Sequence, residues 1–317
     1  MSKELVLFVN SKIHACGVHQ YGFNIYNSIK THSKQHEYMY VECSSQTEFL
    51  QKVAEKPYVA IIYNFHPSTI GWATAELEQI LPNIVHVGIV HEPNYGAPFT
   101  YKISQDPSFE EAPPYYKQHS RNIFDYDNTF PEPEIPTIGS FGFAWADKGF
   151  ERMISQIKKE FDLAKVRLHL PRSYFGDPKG ALGTNMINTC NRMLRGTNIT
   201  LEASREWKTL SELLDWLAQN TINAFFYEYK EGRGISGPPD FAMAVKRPMI
   251  LTKSYMFKHL WEATPSIFIE DVTIKECIAN GLKPLEPFYA RWSEQATADD
   301  YDRVITLARY YDPITQQ

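Results

Sequence analysis

The residues with the clearest chemical potential lie in a glycine-rich turn between an apolar segment and a proline-initiated helix. The turn reads Gly232-Arg-Gly-Ile-Ser-Gly237, and it follows the strand-like segment Asn223-Ala-Phe-Phe-Tyr227. Pro238 and Pro239 suit a helix start, and Asp240 suits its positive end. Backbone N–H groups at such a turn can meet an anion, so this segment predicts a site for a phosphate-bearing ligand.

The same turn fits the G-x-G-x-x-G pattern at Gly232, Gly234 and Gly237, but its context differs from that of a dinucleotide-binding loop. Such loops open the first strand–helix unit of a fold, and an acidic residue follows at the end of the next strand. Here the turn lies late in the chain, and the next strand candidate runs into Lys253. The pattern therefore favours an anion site over a dinucleotide fingerprint, and a simple tight turn remains the alternative.

The composition is that of a globular protein with sizeable cores. The chain has 317 residues, of which 43% are hydrophobic and 22% charged, and this length predicts about two domains. A net charge of -5 argues against binding nucleic acid by bulk phosphate neutralisation. The four cysteines form no C-x-x-C pair and have no histidine at a zinc-like spacing, which predicts a reducing, cytoplasmic location and no metal. No apolar run approaches the roughly 20 residues of a membrane helix, although peripheral membrane contact stays possible.

Strand-like and helix-like segments alternate in two successive series, which predicts parallel sheets covered by helices. We predict an N-terminal domain over residues 1–133, a second domain over 134–297, and a C-terminal helical segment, 298–317, that packs back on the first domain. The predicted fold class is α/β, with two Rossmann-like domains facing each other across an interdomain cleft. The predicted strands are 4–9, 38–41, 58–63, 84–90, 137–143, 166–170, 199–201, 223–227, 248–252 and 266–269, and the predicted helices are 18–29, 47–54, 70–81, 148–161, 184–194, 209–220 and a segment from 238.

Four parts of the chain together resemble the GT-B-fold glycosyltransferases, in particular the large retaining, nucleotide-sugar-dependent group similar to glycosyltransferase family 4. The resemblance implies a GT-B fold and transfer of a sugar from a nucleotide-diphosphate sugar to an acceptor hydroxyl, with retention, in polysaccharide or glycoconjugate synthesis. It implies neither a metal nor a further cofactor. The parts are Ile138-Gly-Ser-Phe-Gly-Phe143 with Lys148-Gly-Phe150, Glu231-Gly-Arg-Gly234, Asp240-Phe-Ala-Met-Ala244 with Lys246-Arg-Pro-Met-Ile250, and Cys16-Gly-Val18.

The resemblance also implies roles for single residues. Lys148 would contact the donor diphosphate, Glu231 would lie near the donor sugar, and Asp240 would bind the ribose hydroxyls. The amides after Gly232 would meet phosphate or sugar oxygens, and Gly17 would let a loop approach the donor closely. Many family members carry an arginine in the strand that here holds Gly142, and the residues that could replace it near the donor are Arg172 and Arg233, the latter next to Gly234.

His91 ends the fourth predicted strand, where it could bind a substrate hydroxyl or transfer a proton, and His66 follows the third strand in a similar way. The alternative for both is a purely structural role, as a hydrogen-bonded histidine at a strand end. Asp240 stands where the family usually has glutamate, and the interval from Glu231 is longer than usual. Two alternatives therefore stay open: a non-hydrolysing sugar-nucleotide epimerase of the same fold, and a non-catalytic binding or scaffold protein.

Overall fold

The computed structural model describes residues 3–93 and 96–310, which divide into two compact units. Among these described residues, the first unit comprises the chain up to Asn122, the short loop Gly232–Ile235 and the chain from Arg291 onward, and the second comprises Ile123–Glu231 and Ser236–Ala290. The first boundary thus falls between residues 122 and 123, whereas the sequence placed it between 133 and 134. The extended proline-containing segment after Phe130 belongs to the second unit.

The first unit is built on a six-stranded parallel sheet. Its central strands are nearly continuous apolar runs because helices cover both faces. One face packs Phe8 and Ile25 with Tyr301, and the other packs Phe49, Tyr63 and Phe99. The strands are β1 Glu4–Asn10, β2 His36–Glu42, β3 Tyr58–Tyr63, β4 Val85–Val90, β5 Tyr101–Ser104 and β6 Tyr115–Lys117, in the order β2-β1-β3-β4-β5-β6. The helices are α1 Gly17–His32, α2 Gln46–Val53, α3 Pro67–Ile70, α4 Glu76–Ile80 and, near the C-terminus, α11 Glu294–Tyr310.

The second unit is built on a five-stranded parallel sheet. Its strands are β7 Thr137–Phe141, β8 Leu163–His169, β9 Asn198–Ser204, β10 Ile222–Phe225 and β11 Met249–Leu251, in the order β11-β10-β7-β8-β9. Its helices are α5 Phe150–Glu160, α6 Ala181–Met193, α7 Leu210–Ala218, α8 Pro238–Ala244, α9 Ile274–Asn280 and α10 Glu286–Tyr289, with short 3₁₀ helices at Ala146–Lys148, Tyr255–Leu260 and Lys283–Leu285.

Each sheet has a point where the strand order reverses direction. It lies between β1 and β3 in the first sheet and between β7 and β10 in the second. In open α/β sheets, ligands bind outside the carboxyl ends of the strands at such a point. The carboxyl ends of β1, β3, β7 and β10 are therefore the first places to search for a site.

The predicted helix 70–81 is wrong, because two short helices occupy this part of the chain. α3 begins at Pro67, where the Nδ1 atom of His66 accepts a hydrogen bond from the N–H of Ser68 at 3.1 Å. It ends at Gly71, which packs so closely on the Pro67 carbonyl that a Cβ there would lie 2.5 Å from the oxygen. The chain then turns before α4 begins at Glu76.

The predicted strand 266–269 is also wrong, since only a single parallel bridge joins Phe268 to Leu251. The N–H groups of Asp271 and Val272 both donate to the Phe268 carbonyl, so the chain turns there instead of extending. The segment 94–128, for which no element was predicted, contains β5 and β6. Asn94 and Tyr95 lie outside the described residues.

α11 packs against α1 within the first unit, where Asp302 is 1% exposed. Its carboxylate accepts hydrogen bonds from the hydroxyls of Ser33 and Tyr38 and from the backbone N–H groups of Lys34 and Gln35. Residues 311–317 of the predicted C-terminal segment lie outside the described part of the chain. No helix within the described residues is long and apolar enough to cross a bilayer.

Candidate active site

Gly142 lies directly beyond β7, at the reversal point of the second sheet. Its φ of 144° is a conformation that side-chain-bearing residues rarely adopt. Its N–H donates to the carbonyl of His169 at 3.1 Å, and a Cβ on it would lie 3.5 Å from the hydroxyl oxygen of Tyr227. The backbone conformation therefore favours glycine here, and the smallest possible residue borders the carboxyl end of the sheet.

Lys148 is a buried cation of the second unit, with 9% of its surface exposed. It ends the 3₁₀ helix before α5, and its Nζ lies 3.7 Å from the ring centroid of Tyr227 and 5.9 Å from that of Trp145. Gly149 next to it has φ 66°, and a Cβ there would lie 1.9 Å from the Phe226 carbonyl oxygen. This close packing fixes the backbone of Lys148 against the end of β10.

Tyr227 forms the aromatic surface under that ammonium. Burial raises the pKa of Tyr227 well above its ordinary value, so the phenol stays neutral. A cation above an aromatic face is attracted by the ring quadrupole, and the attraction is larger where water is excluded. The arrangement holds a positive charge at the carboxyl end of the sheet, above the face of a neutral ring.

Asp240 is buried in the first turn of α8, and its backbone N–H donates to the Gly237 carbonyl at 2.9 Å. Glu231 is exposed and is the last residue of the second unit before the loop Gly232–Ile235. Arg172 is exposed beyond β8. A Cβ on Gly180 would lie 3.2 Å from its Cγ, so its stem lies beside the turn before α6.

The predicted donor-binding residues Gly232, Arg233 and Gly234 belong to the first unit. Arg233 forms an ion pair with Glu92, with Nη2 3.2 Å from Oε1. Gly234 packs on the end of β4, where a Cβ would lie 1.8 Å from the carbonyl oxygen of His91. The structure thus brings Arg233 and Gly234 together with Glu92 and His91, while Lys148, Gly142 and Asp240 lie in the second unit.

A chain of buried side-chain amides occupies the reversal point of the first sheet. Asn10 ends β1 and Asn64 follows β3, and both are 0% exposed. The Nδ2 of Asn64 donates to Oδ1 of Asn10 at 2.8 Å and to the carbonyl of Val18 at 2.7 Å. Because a carbonyl oxygen only accepts, these bonds fix which end of the Asn64 amide is nitrogen. Neither asparagine was predicted from the sequence, and their position at the ends of neighbouring strands is the signal that could have found them.

His91 is held by this amide in one tautomer. The Oδ1 of Asn64 lies 2.8 Å from Nε2 of His91, and since that oxygen accepts, Nε2 carries the proton and Nδ1 has a lone pair. Burial, with a smaller contribution from His66, lowers the pKa of His91 to about 3. The Tyr21 ring packs edge-on against it at 5.0 Å. His91 is therefore a neutral hydrogen-bond acceptor near pH 7, and a proton-transfer role is poorly matched to so low a pKa.

Two glycines of α1 border this network. A Cβ on Gly22 would lie 2.3 Å from Nδ2 of Asn64, so the amide chain requires glycine at that position. Gly17 begins α1, and a Cβ there would meet no described atom within 4 Å. There is room for a ligand beside Gly17, and its contact with a donor stays a prediction.

No protein-family model matches the chain, and no curated protein matches it in sequence. Solved structures do match its fold. A glycosyltransferase from Rickettsia africae ESF-5 aligns with a TM-score of 0.70 at 10% identity, over 98% of this chain and 100% of its own. An alpha-glucosyltransferase bound to UDP and a 13-mer DNA containing an HMU base aligns with a TM-score of 0.64 at 13% identity, over 96% of this chain and 100% of its own. HepE from Anabaena, in complex with UDP and glucose, aligns with a TM-score of 0.59 at 12% identity, over 96% of this chain and 94% of its own.

At such low identity, these similarities show the fold. The chain has the GT-B fold, with two units that each contain a parallel sheet covered by helices. The predicted α/β class and the resemblance to GT-B glycosyltransferases are confirmed at this level. The roles implied for single residues stay predictions.

Proposed function

We propose that this protein transfers a sugar from a nucleotide-diphosphate sugar to an acceptor hydroxyl, in the synthesis of a polysaccharide or glycoconjugate. The observation that carries the proposal is the buried ammonium of Lys148 at the reversal point of the second sheet. An ammonium positioned there would stabilise the negative charge that develops on a departing diphosphate. The GT-B fold, seen with UDP and glucose in HepE, supports the same class of donor.

In this proposal the second unit binds the nucleotide. Lys148 contacts the diphosphate, Gly142 lets the donor approach the backbone, and Asp240 accepts hydrogen bonds from the ribose hydroxyls. Glu231 lies near the donor sugar. The reaction needs no metal and retains the configuration at the anomeric carbon, as the resemblance to the retaining group implies.

In the first unit, His91 accepts a hydrogen bond at Nδ1 from a sugar hydroxyl. The support is its fixed Nε2–H tautomer together with the lowered pKa, because a neutral acceptor suits a neutral hydroxyl.

The acceptor substrate is a glycan or another hydroxyl compound. One structural neighbour is bound to DNA, but the net charge of -5 favours an acceptor other than nucleic acid in this chain. The four buried free cysteines suit a reducing cytoplasm, with peripheral membrane contact left possible.

The proposal is tested by titrating the full chain with several nucleotide-diphosphate sugars and analysing the products with and without glycan acceptors. We expect one donor to bind, and to yield free nucleoside diphosphate together with a product that carries the sugar. NMR of the anomeric proton in that product then reports retention or inversion. An epimerised sugar without transfer would support the epimerase instead, and a chain that binds no donor would support the non-catalytic alternative.

A further inference from the structure

Three side chains at the carboxyl end of β2 direct two imidazole nitrogens at one carboxylate. His14 lies in the loop between β1 and α1, His19 lies in the first turn of α1, and Glu42 ends β2. The Nε2 atom of each histidine is 2.8 Å from a different oxygen of Glu42. The two rings stack with their centroids 4.6 Å apart, and the ligand atoms of all three residues lie within 4.8 Å of one another.

Two imidazoles and a carboxylate form a ligand set for a transition-metal ion. Zinc binds histidine nitrogen and carboxylate oxygen at about 2.0–2.2 Å, so the donor atoms of a tetrahedral site lie roughly 3.3 Å apart. The two nitrogen–oxygen distances here are 2.8 Å and all the donor atoms lie within 4.8 Å of one another, so side-chain rotations would admit an ion. Mg²⁺ and Ca²⁺ prefer ligand sets made of oxygen, and imidazoles therefore select against them.

The surrounding residues hold two of the three ligands in place. The hydroxyl of Tyr40 donates to Oε1 of Glu42 at 2.9 Å, and Nδ2 of Asn10 donates both to the Tyr40 oxygen and to the backbone carbonyl of His19. Such outer hydrogen bonds orient metal ligands in proteins. His19 is 7% exposed, and among the described residues its side chain makes its polar contact through Nε2, the atom that faces Glu42.

The exposed ligand provides the entry path. The side chain of His14 is 68% exposed, against 9% for His19 and 23% for Glu42. An ion arriving from solvent can therefore bind His14 first and reach the other two ligands by displacing their mutual hydrogen bonds. In the metal-free site each Nε2 carries the proton that a Glu42 oxygen accepts, so binding through Nε2 requires that proton to move to Nδ1 by way of solvent or to be released.

We propose that His14, His19 and Glu42 form a divalent transition-metal site, represented by Zn²⁺, with a water molecule completing the coordination. The expectation of no metal rested on the spacing of histidines from cysteines and on the family resemblance, and these ligands come instead from a loop, a helix and a strand end. The bound ion links the β1–α1 loop, which leads into Gly17, to the end of β2. The site lies in the first unit, and the proposed sugar transfer does not depend on it.

The test uses the full chain stripped of metal with a chelator and then titrated with Zn²⁺ by calorimetry, with Co²⁺ absorption as a spectroscopic readout. We expect one ion per chain. His14→Ala and Glu42→Gln should each weaken Zn²⁺ binding at least tenfold, and Tyr40→Phe should weaken it by about tenfold through the lost outer hydrogen bond. Mg²⁺ at the same concentrations should not compete.

A matched control exists in the same unit. Nε2 of His119 lies 2.8 Å from Oε2 of Glu111, which reproduces the histidine–carboxylate contact with a single histidine. His119→Ala should change Zn²⁺ affinity by less than about twofold. The proposal is overturned if the wild-type chain shows no saturable Zn²⁺ binding below about 100 µM, or if His14→Ala binds as tightly as wild type. His14 is exposed, so an unchanged unfolding midpoint of the metal-free variant will show that it folds.

Discussion

The two sheets carry different polar groups at their reversal points. In the second unit the ends of β7 and β10 border Lys148, a buried cation above the Tyr227 ring. In the first unit the ends of β1 and β3 carry the amides of Asn10 and Asn64 and, through them, the neutral imidazole of His91. The same topology thus places a positive charge at one sheet edge and a chain of neutral hydrogen-bonding groups at the other.

This difference shows that the side chains at the strand ends, and not the sheet order, decide what each edge can bind. A buried cation favours an anionic group such as a diphosphate. A neutral acceptor suits a hydroxyl, because a buried polar group is stable only when it is hydrogen-bonded. This contrast can be tested by removing, one at a time, the Lys148 ammonium, the Asn64 amide, the Asp302 carboxylate and the ion pair of Arg233 with Glu92.

The largest expected effect comes from the charge. Lys148→Ala should lower kcat/KM for donor turnover about a hundredfold, because it removes a cation that is poised to stabilise developing negative charge. Steady-state kinetics with the donor found in the screen measures this. Lys158→Ala is the matched control, since that lysine is exposed on α5 and its Nζ bonds the carbonyl of Met193. Equal kinetics for both variants would remove Lys148 from the proposed mechanism.

The amide network should matter for stability as well as for binding. Asn64→Leu would leave Nε2–H of His91 without its acceptor in a buried place and would remove one donor each from Oδ1 of Asn10 and the carbonyl of Val18, which costs about 2 kcal/mol of unfolding free energy. Urea denaturation followed by fluorescence measures the change. The control Asn27→Leu alters an exposed asparagine of α1 and should change stability by less than about 0.5 kcal/mol. If both variants are equally stable, the network is not a structural requirement.

The fold was predictable because several strands of the two sheets, such as β1, β3 and β11, are largely apolar, and that pattern indicates burial on both faces. β5 and β6 escaped prediction because Tyr101–Ser104 and Tyr115–Lys117 are short and carry lysines, so nothing separates them from loops. Their place in the sheet comes from the pairing of β5 with β4 and of β6 with β5, which local sequence does not encode.

The candidate site was only partly predictable. Lys148 and Gly142 follow a strand, and local sequence indicates where a strand ends. The position of Arg233 is different: four residues of the glycine loop belong to the first unit although both flanking segments belong to the second, and no local pattern encodes that. The asparagine network was missed because a single asparagine after a strand is ordinary, and only the hydrogen bonds between Asn10, Asn64 and His91 reveal its connection.

The first unit does contain a buried negative charge, at the opposite end of its sheet. Burial alone would raise the pKa of Asp302, but hydrogen bonds from His36, Ser33 and Tyr38 at the start of β2 lower it below its ordinary value. The ionised carboxylate therefore stabilises the folded state above the ordinary aspartate pKa of about 3.9. This contribution is lost as the pH falls from there through the lowered folded-state pKa.

Asp302→Asn should accordingly lower the unfolding free energy by about 1–2 kcal/mol at pH 7, and the difference from wild type should shrink below about pH 4. Denaturation curves at a series of pH values measure this. Asp299→Asn, on the exposed side of the same helix, is the control and should have little effect at any pH. A loss of stability for Asp302→Asn that stays constant down to pH 2 would mean that its cause is packing and not charge.

The smallest effect is expected at the ion pair of Arg233 with Glu92 in the first unit. Arg233→Ala removes the partner of Glu92 from a half-exposed pair, so the unfolding free energy should change by less than about 1 kcal/mol. Burial, the largest cause, lowers the pKa of His66, while Glu92 raises it and Arg233 lowers it further. The substitution should therefore raise the pKa of His66, as an NMR titration would show.

The same variant separates two roles for Arg233. A donor-binding arginine would raise KM for the donor at least tenfold when it is removed, whereas an arginine neutralised by Glu92 would leave KM within about threefold. The first result would place a functional positive charge in the first unit and remove the contrast between the two edges.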